Sequence, residues 1–488
     1  MGIVIKQSSG NFVITYFGFA IGAVNALFLY TNFLEQEYYG YTQYLLSAAN
    51  ILMPFMAFGV HSSLIRFFSR CTSEKEKDQL LSFVVLLPLL ISSLVAVLYG
   101  FFSEAFVTHF LSPNMDVSKY LWMIPVVGLA MAYFEIFYAY AKVHLRSNLG
   151  NFLSEVLVRL LAMIMLFGVH YNWITTDQFL YGLVVAYVVQ AIWMFIYAVS
   201  MRPLRFQIGF PHNRNEILQF SAFIIVSGSI ATLLLDLDKL MIPRYNSPEA
   251  VAIYGVAGFI STVIAVPARA MNHITYPLTA QLIAAEKWAE LRSLYQKSAL
   301  TLQIIGGLVL LGIFLNVKQL YLILPAGYEA GYWSVILVGL AKFYDVILGN
   351  NNAILVNTKH YKWALTFGVG VVVLMITFNI WLIPLYGITG AALATLMSVA
   401  IYNTVKLLFV VSKLKMSPFS TATLKSLLVI LLTFALFFGW DFQFHPILNI
   451  ICKSVLITIF YIVLVLRLKL STEINDAVLQ LFKKLRKA

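Results

Sequence analysis

Charged residues are scarce in this chain: only 11% of its 488 residues are Asp, Glu, Lys or Arg, whereas 61% are hydrophobic. A soluble globular domain carries about 25% charged residues, and no single-chain core could hide this much apolar surface from water. The composition therefore excludes a soluble protein. It predicts an all-α polytopic membrane protein.

Cysteine is nearly absent as well, and the common catalytic motifs are missing. Cys71 and Cys452 have neither CxxC spacing nor a neighbouring histidine cluster, so the sequence predicts no disulfide framework and no zinc site. There is no GxxxxGK[ST], GxSxG or HExxH sequence. We therefore expect no nucleotide-driven pump, no metal, no cofactor and no enzymatic activity.

Long apolar runs are what the chain has instead. Because about 20 apolar residues are needed to cross a bilayer, the sequence predicts fourteen transmembrane helices with both termini on one side. They lie at residues 11–34, 41–65, 80–103, 120–141, 149–168, 178–200, 217–241, 251–272, 298–317, 331–352, 361–383, 387–412, 421–440 and 446–466.

The net charge of +12 follows from orientation and does not indicate a nucleic-acid partner. With this topology most of the 33 basic residues, Arg269 and Lys406 among them, fall on the side of the termini. Basic residues mark the cytoplasmic side of a membrane, so we predict that both termini are cytoplasmic. The exceptions are Lys119, Lys239, Arg244, Lys318 and Lys453 on the outer side, with Arg159 and Lys342 inside spans.

An internal repeat is visible at a separation of roughly 210 residues. In span two, YYGYTQY (38–44) is followed by a charged cytoplasmic stretch at 64–82. In span eight, IYGVAGF (253–259) is followed by a similar stretch at 273–298. The repeat suggests two lobes of six helices in parallel orientation.

The predicted division of the chain has three parts. Residues 1–210 form an N-terminal six-helix lobe, residues 211–415 a C-terminal six-helix lobe, and residues 416–488 two extra helices with a basic cytoplasmic tail. Apolar side chains in the second cytoplasmic stretch also predict an amphipathic helix lying on the membrane surface. These side chains are Leu282, Ile283, Leu291 and Leu294.

Ionisable residues inside spans are candidate functional residues, because a charge in the bilayer is costly unless it is paired or hydrated. Lys342 and Asp345 lie three residues apart, hence on one helix face, near the centre of a predicted span. We interpret them as the lining of a water-filled cavity. The alternative is a structural pair that fixes helix packing.

Other charged residues are candidates for the entrance of the transport pathway or for proton coupling. Glu155 and Arg159 form an i,i+4 pair, which is either part of the cavity or an interfacial pair that snorkels. Glu135 is a candidate for proton coupling, or it pairs with Arg159 or Arg66. Arg66 and Arg269, at the cytoplasmic ends of spans two and eight, suit an anionic headgroup, the alternative being ordinary membrane anchoring.

Two further groups of polar residues are candidates. Asp236, Asp238 and Lys239 close span seven and form either a gate between lobes or a solvated helix end. Asn350, in GNNNAI, carries both a donor and an acceptor for sugar hydroxyls. The alternative for Asn350 is a helix cap and turn.

Several stretches resemble the polysaccharide transporters of the multidrug/oligosaccharidyl-lipid/polysaccharide (MOP) exporter superfamily, over nearly the whole chain. They are FLEQEYYGYTQY, GVHSSLIRFFSR, LLLDLDKLMIPRYNSPEAVAIYGVAGF and IPLYGITGAALATLMS. The resemblance implies a MATE-like flippase that moves undecaprenyl-diphosphate-linked O-antigen (lipopolysaccharide), capsule or exopolysaccharide units across the bacterial inner membrane by alternating access. It implies lipid-linked oligosaccharide, membrane lipids and polysaccharide polymerase or assembly proteins as partners, and a basic cavity in which Lys342 is the candidate cation.

A cation-coupled multidrug or metabolite exporter of the same fold is the second candidate. Such exporters often carry a carboxylate deep in the first helix and usually stop at twelve helices. Here FVITYFGFAIGAVNALFLY (12–30) has no acid, and Asn25 is its most polar buried residue. A membrane enzyme of cell-wall assembly is a third candidate, which the missing catalytic motifs disfavour.

Overall fold

Helices account for all of the regular structure in the residues that the computed structural model describes, namely 2–110, 118–203, 205–207, 209, 211 and 213–475. The predicted all-α class is confirmed. The α-helices are α1 Gly2–Val24, α2 Tyr30–Phe33, α3 Gln36–Met56, α4 Val60–Phe68, α5 Glu74–Phe110, α6 Met123–Val143, α7 Asn148–Phe152, α8 Val158–His170, α9 Thr176–Met201, α10 Arg214–Met241, α11 Pro248–Thr262, α12 Val266–Ala284, α13 Trp288–Phe314, α14 Val317–Tyr321, α15 Tyr332–Ile347, α16 Asn351–Asn357, α17 Tyr361–Leu414, α18 Thr421–Phe437 and α19 Pro446–Arg467.

The predicted count of fourteen spans is not confirmed. Within the described residues, eleven helical segments are long and apolar enough to cross a membrane, or twelve if α3 and α4, which meet at a bend of 43°, form one span. Two predicted spans are joined in α17, where Gly387 alone leaves the helical conformation (φ 56°, ψ −134°). The predicted span 421–440 corresponds to α18, which has only 17 residues and is therefore too short to be counted among the eleven.

Contacts between Cα atoms divide the chain into two compact units, Met1–Gly255 and Val256–Ala488. The predicted three-part division places α10 with the helices that follow it, whereas in the structure α10 packs along α3 and α4. The assignment of residues 211–415 to one lobe stays a prediction.

The first unit has two main hydrophobic clusters. One is centred on α4, α6 and α9, where Leu64, Tyr140 and Met194 are fully buried. The other joins α3 to α8 and α9 and includes Leu166 and Phe179. Small residues of α6, such as those at 130, 132 and 139, allow the neighbouring helices to approach closely.

The second unit is organised around α13, which packs against α12, α15, α18 and α19. The hydroxyl of Tyr461 in α19 donates a 3.0 Å hydrogen bond to the backbone carbonyl of Ile304 in α13. Gly307 permits this approach, because a Cβ there would lie 2.5 Å from Cδ1 of Ile430 and 3.2 Å from the Tyr461 hydroxyl. The last two long helices, α18 and α19, are thus packed directly against α13 within the second unit.

Large apolar side chains cover much of the outer surface. Ile164 is 65% exposed, Val185 60%, Leu408 61% and Leu428 57%. A soluble protein exposes no such continuous apolar surface, whereas lipid tails solvate it without cost. This surface agrees with a multi-pass membrane protein.

The predicted amphipathic surface helix is wrong. Leu282 lies in the last turn of α12 and Leu291 in the first turn of α13, so the charged stretch is a helical hairpin. Leu282 and Leu291 are buried together with Ile354 and Val410. Their apolar face packs against α16 and α17 and does not form a separate helix on the membrane.

Candidate functional site

The charged residues of α15 lie near its end and not at its centre. The helix and its candidate span both stop at Ile347, so Asp345 is two residues from the end and Lys342 about one turn before it. Asp345 is exposed and Lys342 is half-buried. The expected position in the middle of a span was wrong, because the helix breaks at Gly349, which has a left-handed backbone (φ 58°).

Asp345 has a buried cation and two tyrosines beside it. It interacts electrostatically with Lys406 and Tyr402 of α17 and with Tyr276 of α12. The Lys406 side chain is only 4% exposed, and its Nζ lies 3.9 Å from the centre of the Tyr402 ring. This is a cation–π geometry. Lys406 was assigned to the cytoplasmic side from sequence, and the structure places it inside α17.

A hydrogen bond extends this group to a fourth helix. Nδ2 of Asn352, an exposed residue of α16, donates to the hydroxyl of Tyr276 at 3.1 Å. We call these residues the Asp345 cluster: Tyr276, Asp345, Asn352, Tyr402 and Lys406. The carboxylate and the amide are exposed, the tyrosines are half-buried and the ammonium is buried.

More polar groups lie along the buried face of α17. Asn403 and Ser398 are fully buried, and neither the amide atoms of Asn403 nor Oγ of Ser398 has a hydrogen-bond partner in the described part of the chain. Asn403 is one turn before Lys406. An unpaired amide in a membrane costs free energy, so this buried face of α17 is unusually polar.

Arg269 was predicted at a cytoplasmic helix end and lies elsewhere. The candidate span containing it runs from Pro248 to Ala284, so Arg269 is near the middle. It is exposed there. The sequence-based prediction ended this span at residue 272, because the stretch at 273–298 was interpreted as charged and cytoplasmic.

Asn350 is buried and has two side-chain partners. Its Nδ2 donates to Oγ1 of Thr279 at 2.7 Å, and its Oδ1 accepts from Oγ of Ser298 at 3.2 Å. These bonds join α12 to α13 at the start of α16. The geometry agrees with the alternative that Asn350 is a residue of the turn.

In the first unit, Glu155 and Arg159 form the expected pair. Nη1 of Arg159 lies 3.0 Å from Oε2 of Glu155 and donates at 2.8 Å to its backbone carbonyl, which belongs to a π-helical turn, Leu153–Leu157. Such a turn leaves carbonyl groups without their usual partners. Gly18 of α1 packs here so closely that a Cβ would lie 2.4 Å from the Glu155 carbonyl oxygen.

Glu135 is half-buried in α6, and its electrostatic neighbours are Lys142 and Tyr138. Nζ of Lys142 lies 3.7 Å from the centre of the Tyr138 ring. The two arginines proposed as partners of Glu135 are engaged elsewhere: Arg159 binds Glu155, and the exposed Arg66 guanidinium stacks at 4.3 Å over the ring of Phe220.

The acidic end of α10 is buried in the first unit and is not a solvated helix end. Asp236 accepts hydrogen bonds from Oγ of Ser47 at 2.9 Å and from Nδ2 of Asn50 at 3.3 Å, and its carboxylate lies 3.1 Å from Nζ of Lys239. Asp238, only 3% exposed, accepts a hydrogen bond from the hydroxyl of Tyr254. These bonds hold α10 against α3 and α11.

Sequence reasoning missed Tyr276, Tyr402 and Lys406 as site residues. One signal was available, since Lys406 lies within the predicted span 387–412 and Tyr402 is four residues before it, on the same helix face. Asp345 is far from all three residues along the chain, so nothing in the sequence indicated that they lie near it.

Taken together, the apolar helices long enough to cross a bilayer define a polytopic membrane protein, and some of these helices carry exposed polar residues. The sequence model of the polysaccharide biosynthesis protein family matches residues 4–283. That is more than half of the chain, and the chain therefore belongs to this family. None of the curated protein sequences matches it significantly.

Solved structures show the same fold. The lipid II flippase MurJ in an inward closed conformation has a TM-score of 0.72 at 14% identity, covering 93% of this chain and 97% of MurJ. An inward-facing multidrug resistance MATE transporter of the MOP superfamily has a TM-score of 0.64 at 13% identity, covering 80% and 92%. An outward-facing MATE transporter has a TM-score of 0.55 at 14% identity, covering 83% and 94%.

Proposed function

We propose that this protein is a flippase for undecaprenyl-diphosphate-linked oligosaccharides in the bacterial inner membrane. The observation that carries the proposal is the Asp345 cluster, in which an exposed carboxylate lies beside a buried ammonium within the helices of a membrane protein. Lipid tails do not solvate such a surface. A polar cargo or water in a pathway does.

Membership of the polysaccharide biosynthesis family supports a saccharide-bearing cargo. The fold supports alternating access as the mechanism, because proteins of this fold are known in inward-facing and in outward-facing conformations. The cargo is the repeat unit of an O-antigen, a capsule or an exopolysaccharide. Both termini are cytoplasmic in this proposal, and polymerase or assembly proteins receive the product.

Each unit contains one arginine whose side chain has the chemistry to bind the diphosphate of the cargo. Arg269 is exposed near the middle of a candidate span, and Arg159 is 36% exposed beside Glu155. A guanidinium presents paired donors that match phosphate oxygens. Arg66 lies nearer the predicted cytoplasmic entrance, and Glu135 and Asp238 remain candidates for ion coupling and gating.

Deletion of the gene in its native host tests this function. We expect the surface polysaccharide to be lost and the lipid-linked repeat unit to accumulate on the cytoplasmic side of the inner membrane. Reintroduction of the intact chain should restore the polysaccharide. Unchanged polysaccharide in the deletion strain would reject the proposal.

The second candidate, a cation-coupled drug or metabolite exporter, rests on the MATE transporters of the same fold. It predicts the opposite phenotype: deletion sensitises the cells to cationic dyes and leaves the glycans unchanged. A single deletion strain, assayed for glycans and for dye sensitivity, separates the two functions.

A further inference from the structure

We infer that the Asp345 cluster is the subsite for the saccharide of the cargo, and that the diphosphate binds elsewhere. This inference rests on the proposed function. It divides the recognition of one amphipathic molecule between two chemically different parts of the second unit.

The accessible groups of the cluster suit hydroxyls and not phosphate. A carboxylate and an amide, those of Asp345 and Asn352, are its exposed polar groups. Carboxylate oxygens accept hydrogen bonds from sugar hydroxyls, and the amide both donates and accepts. The same carboxylate repels a diphosphate, since both carry negative charge.

The cation of the cluster is placed to support Asp345 and not to touch the cargo. Lys406 is 4% exposed and lies against the Tyr402 ring. A buried side chain that interacts with Asp345 and lies out of reach of the cargo acts on the cargo only through this carboxylate. Lys406 is therefore a positioning residue of the subsite.

Aromatic rings complete the surface. Tyr276 and Tyr402 are half-buried, lie close to each other and both interact with Asp345. Half-buried tyrosines present an apolar ring and a polar hydroxyl together. A pyranose has the complementary character, with apolar C–H faces and a rim of hydroxyls.

The spacing along α12 fits a cargo with two such parts. Arg269 and Tyr276 are seven residues apart in α12, which places them on the same side of the helix, two turns apart. Two turns span about 10 Å. The diphosphate is directly linked to the first sugar in a lipid-linked oligosaccharide. The diphosphate can therefore bind Arg269 while the neighbouring saccharide reaches the Asp345 cluster.

The test compares two ligands on the full-length protein in detergent. One is the lipid-linked oligosaccharide purified from membranes of the native host, and the other is undecaprenyl diphosphate, which has no sugar. We expect the unmodified protein to bind both, with the oligosaccharide bound more tightly. Asp345→Asn should weaken binding of the oligosaccharide roughly tenfold and leave undecaprenyl diphosphate unchanged.

Two further variants sharpen the result. Tyr276→Phe retains the ring and removes the hydroxyl, so it should weaken the oligosaccharide only and by less than Asp345→Asn does. Glu290→Gln, at an exposed carboxylate of α13, is the matched control and should change neither affinity. All three variants should still melt cooperatively and bind undecaprenyl diphosphate, which shows that they remain folded. Asp345→Asn should melt somewhat below the unmodified protein, because the buried Lys406 loses a neighbouring carboxylate.

The remaining outcomes overturn the inference in distinguishable ways. If Asp345→Asn weakens both ligands equally, or weakens neither, the cluster is not a saccharide subsite, while the flippase proposal stands. If the unmodified protein binds neither ligand, the flippase proposal itself fails, and the subsite with it.

Discussion

Oγ of Ser47 donates a 2.9 Å hydrogen bond to the carboxylate of Asp236, 189 residues further along the chain. Asn50 and Lys239 are further partners of the same carboxylate. Asp236 is 7% exposed, so this is a buried polar network and not a surface contact. It fixes the end of α10 against α3.

Removal of the Asp236 carboxylate should destabilise the protein. Asp236→Ala leaves Lys239, which is only 20% exposed, without this partner in a largely buried position. Breaking a buried pair from one side costs about 3 kcal/mol of unfolding free energy. Thermal unfolding in detergent measures this loss, and Glu290→Ala, at an exposed pair, should leave the melting temperature unchanged.

Gly59 should be intolerant of any side chain. Its backbone is left-handed (φ 62°), and a Cβ would lie 2.6 Å from the backbone oxygen of Ser221 in α10. We expect Gly59→Ala to lower stability by about 2 kcal/mol, from backbone strain and from displacement of α10. Gly228→Ala, at a position of α10 with nothing within 4 Å, is the control. Equal stability of the two variants would contradict this packing.

The predicted lobe boundary at residues 210–211 has its own test. If α10 moves with the residues that follow it, it must separate from α4 during transport. In a background of Cys71→Ser and Cys452→Ser, the variants Ser63→Cys and Ser221→Cys combined, at two hydroxyl oxygens 2.6 Å apart, should block surface polysaccharide when oxidised and restore it on reduction. Unaffected export by the oxidised protein would place α10 permanently with residues 1–210.

The ion pair of Glu473 with Lys297 should persist under mildly acidic conditions. The hydrogen bond from Lys297, 2.7 Å away, lowers the pKa of Glu473 from 4.5 to about 2. Because folding lowers the pKa of Glu473, its ionised carboxylate stabilises the folded protein at pH values above about 4.5. This contribution is lost as the pH falls from about 4.5 to about 2. The melting-temperature difference between the unmodified protein and Glu473→Gln should therefore be constant from pH 8 to pH 5. It should also be small, because the pair is partly exposed. A difference that disappears by pH 6 would be inconsistent with this pKa.

Lys342 is the cation that the sequence assigns to the transport pathway. Lys342→Ala should abolish surface polysaccharide in the host while the protein remains folded and inserted, because the pathway loses a charge beside Asp345. Lys362→Ala, at an exposed position near the start of α17, is the control and should leave the surface polysaccharide unchanged. Normal polymer display by Lys342→Ala would remove this residue from the mechanism.

Much of the fold was predictable because span length and hydrophobicity are local properties. Every predicted span coincides with helical structure, from 11–34, which runs from α1 through α2, to 446–466 in α19. The breaks within spans were not predictable. The bend after Met56 and the kink at Gly387 depend on how the surrounding helices pack, and a proline or glycine in the sequence shows only where a break is tolerated.

The candidate site was predictable only in part. Lys342 and Asp345 were identified because charges stand out in an apolar run. Tyr276 and Lys406 come from helices about 70 and 60 residues away along the chain and meet Asp345 only in the folded unit. The π-helical turn at Leu153–Leu157, next to Arg159, was also not predictable, because it forms where α1 of a distant part of the sequence packs closely against it.

The most direct test of the central claim is transbilayer movement of the cargo in reconstituted vesicles. Vesicles containing the purified chain and the lipid-linked oligosaccharide of its host are assayed for the arrival of glycan in the opposite leaflet, with a membrane-impermeant reagent. We predict rapid arrival with the unmodified protein and strongly reduced arrival with Asp345→Asn. No acceleration over protein-free vesicles, together with movement of a cationic dye by the same preparation, would contradict the account.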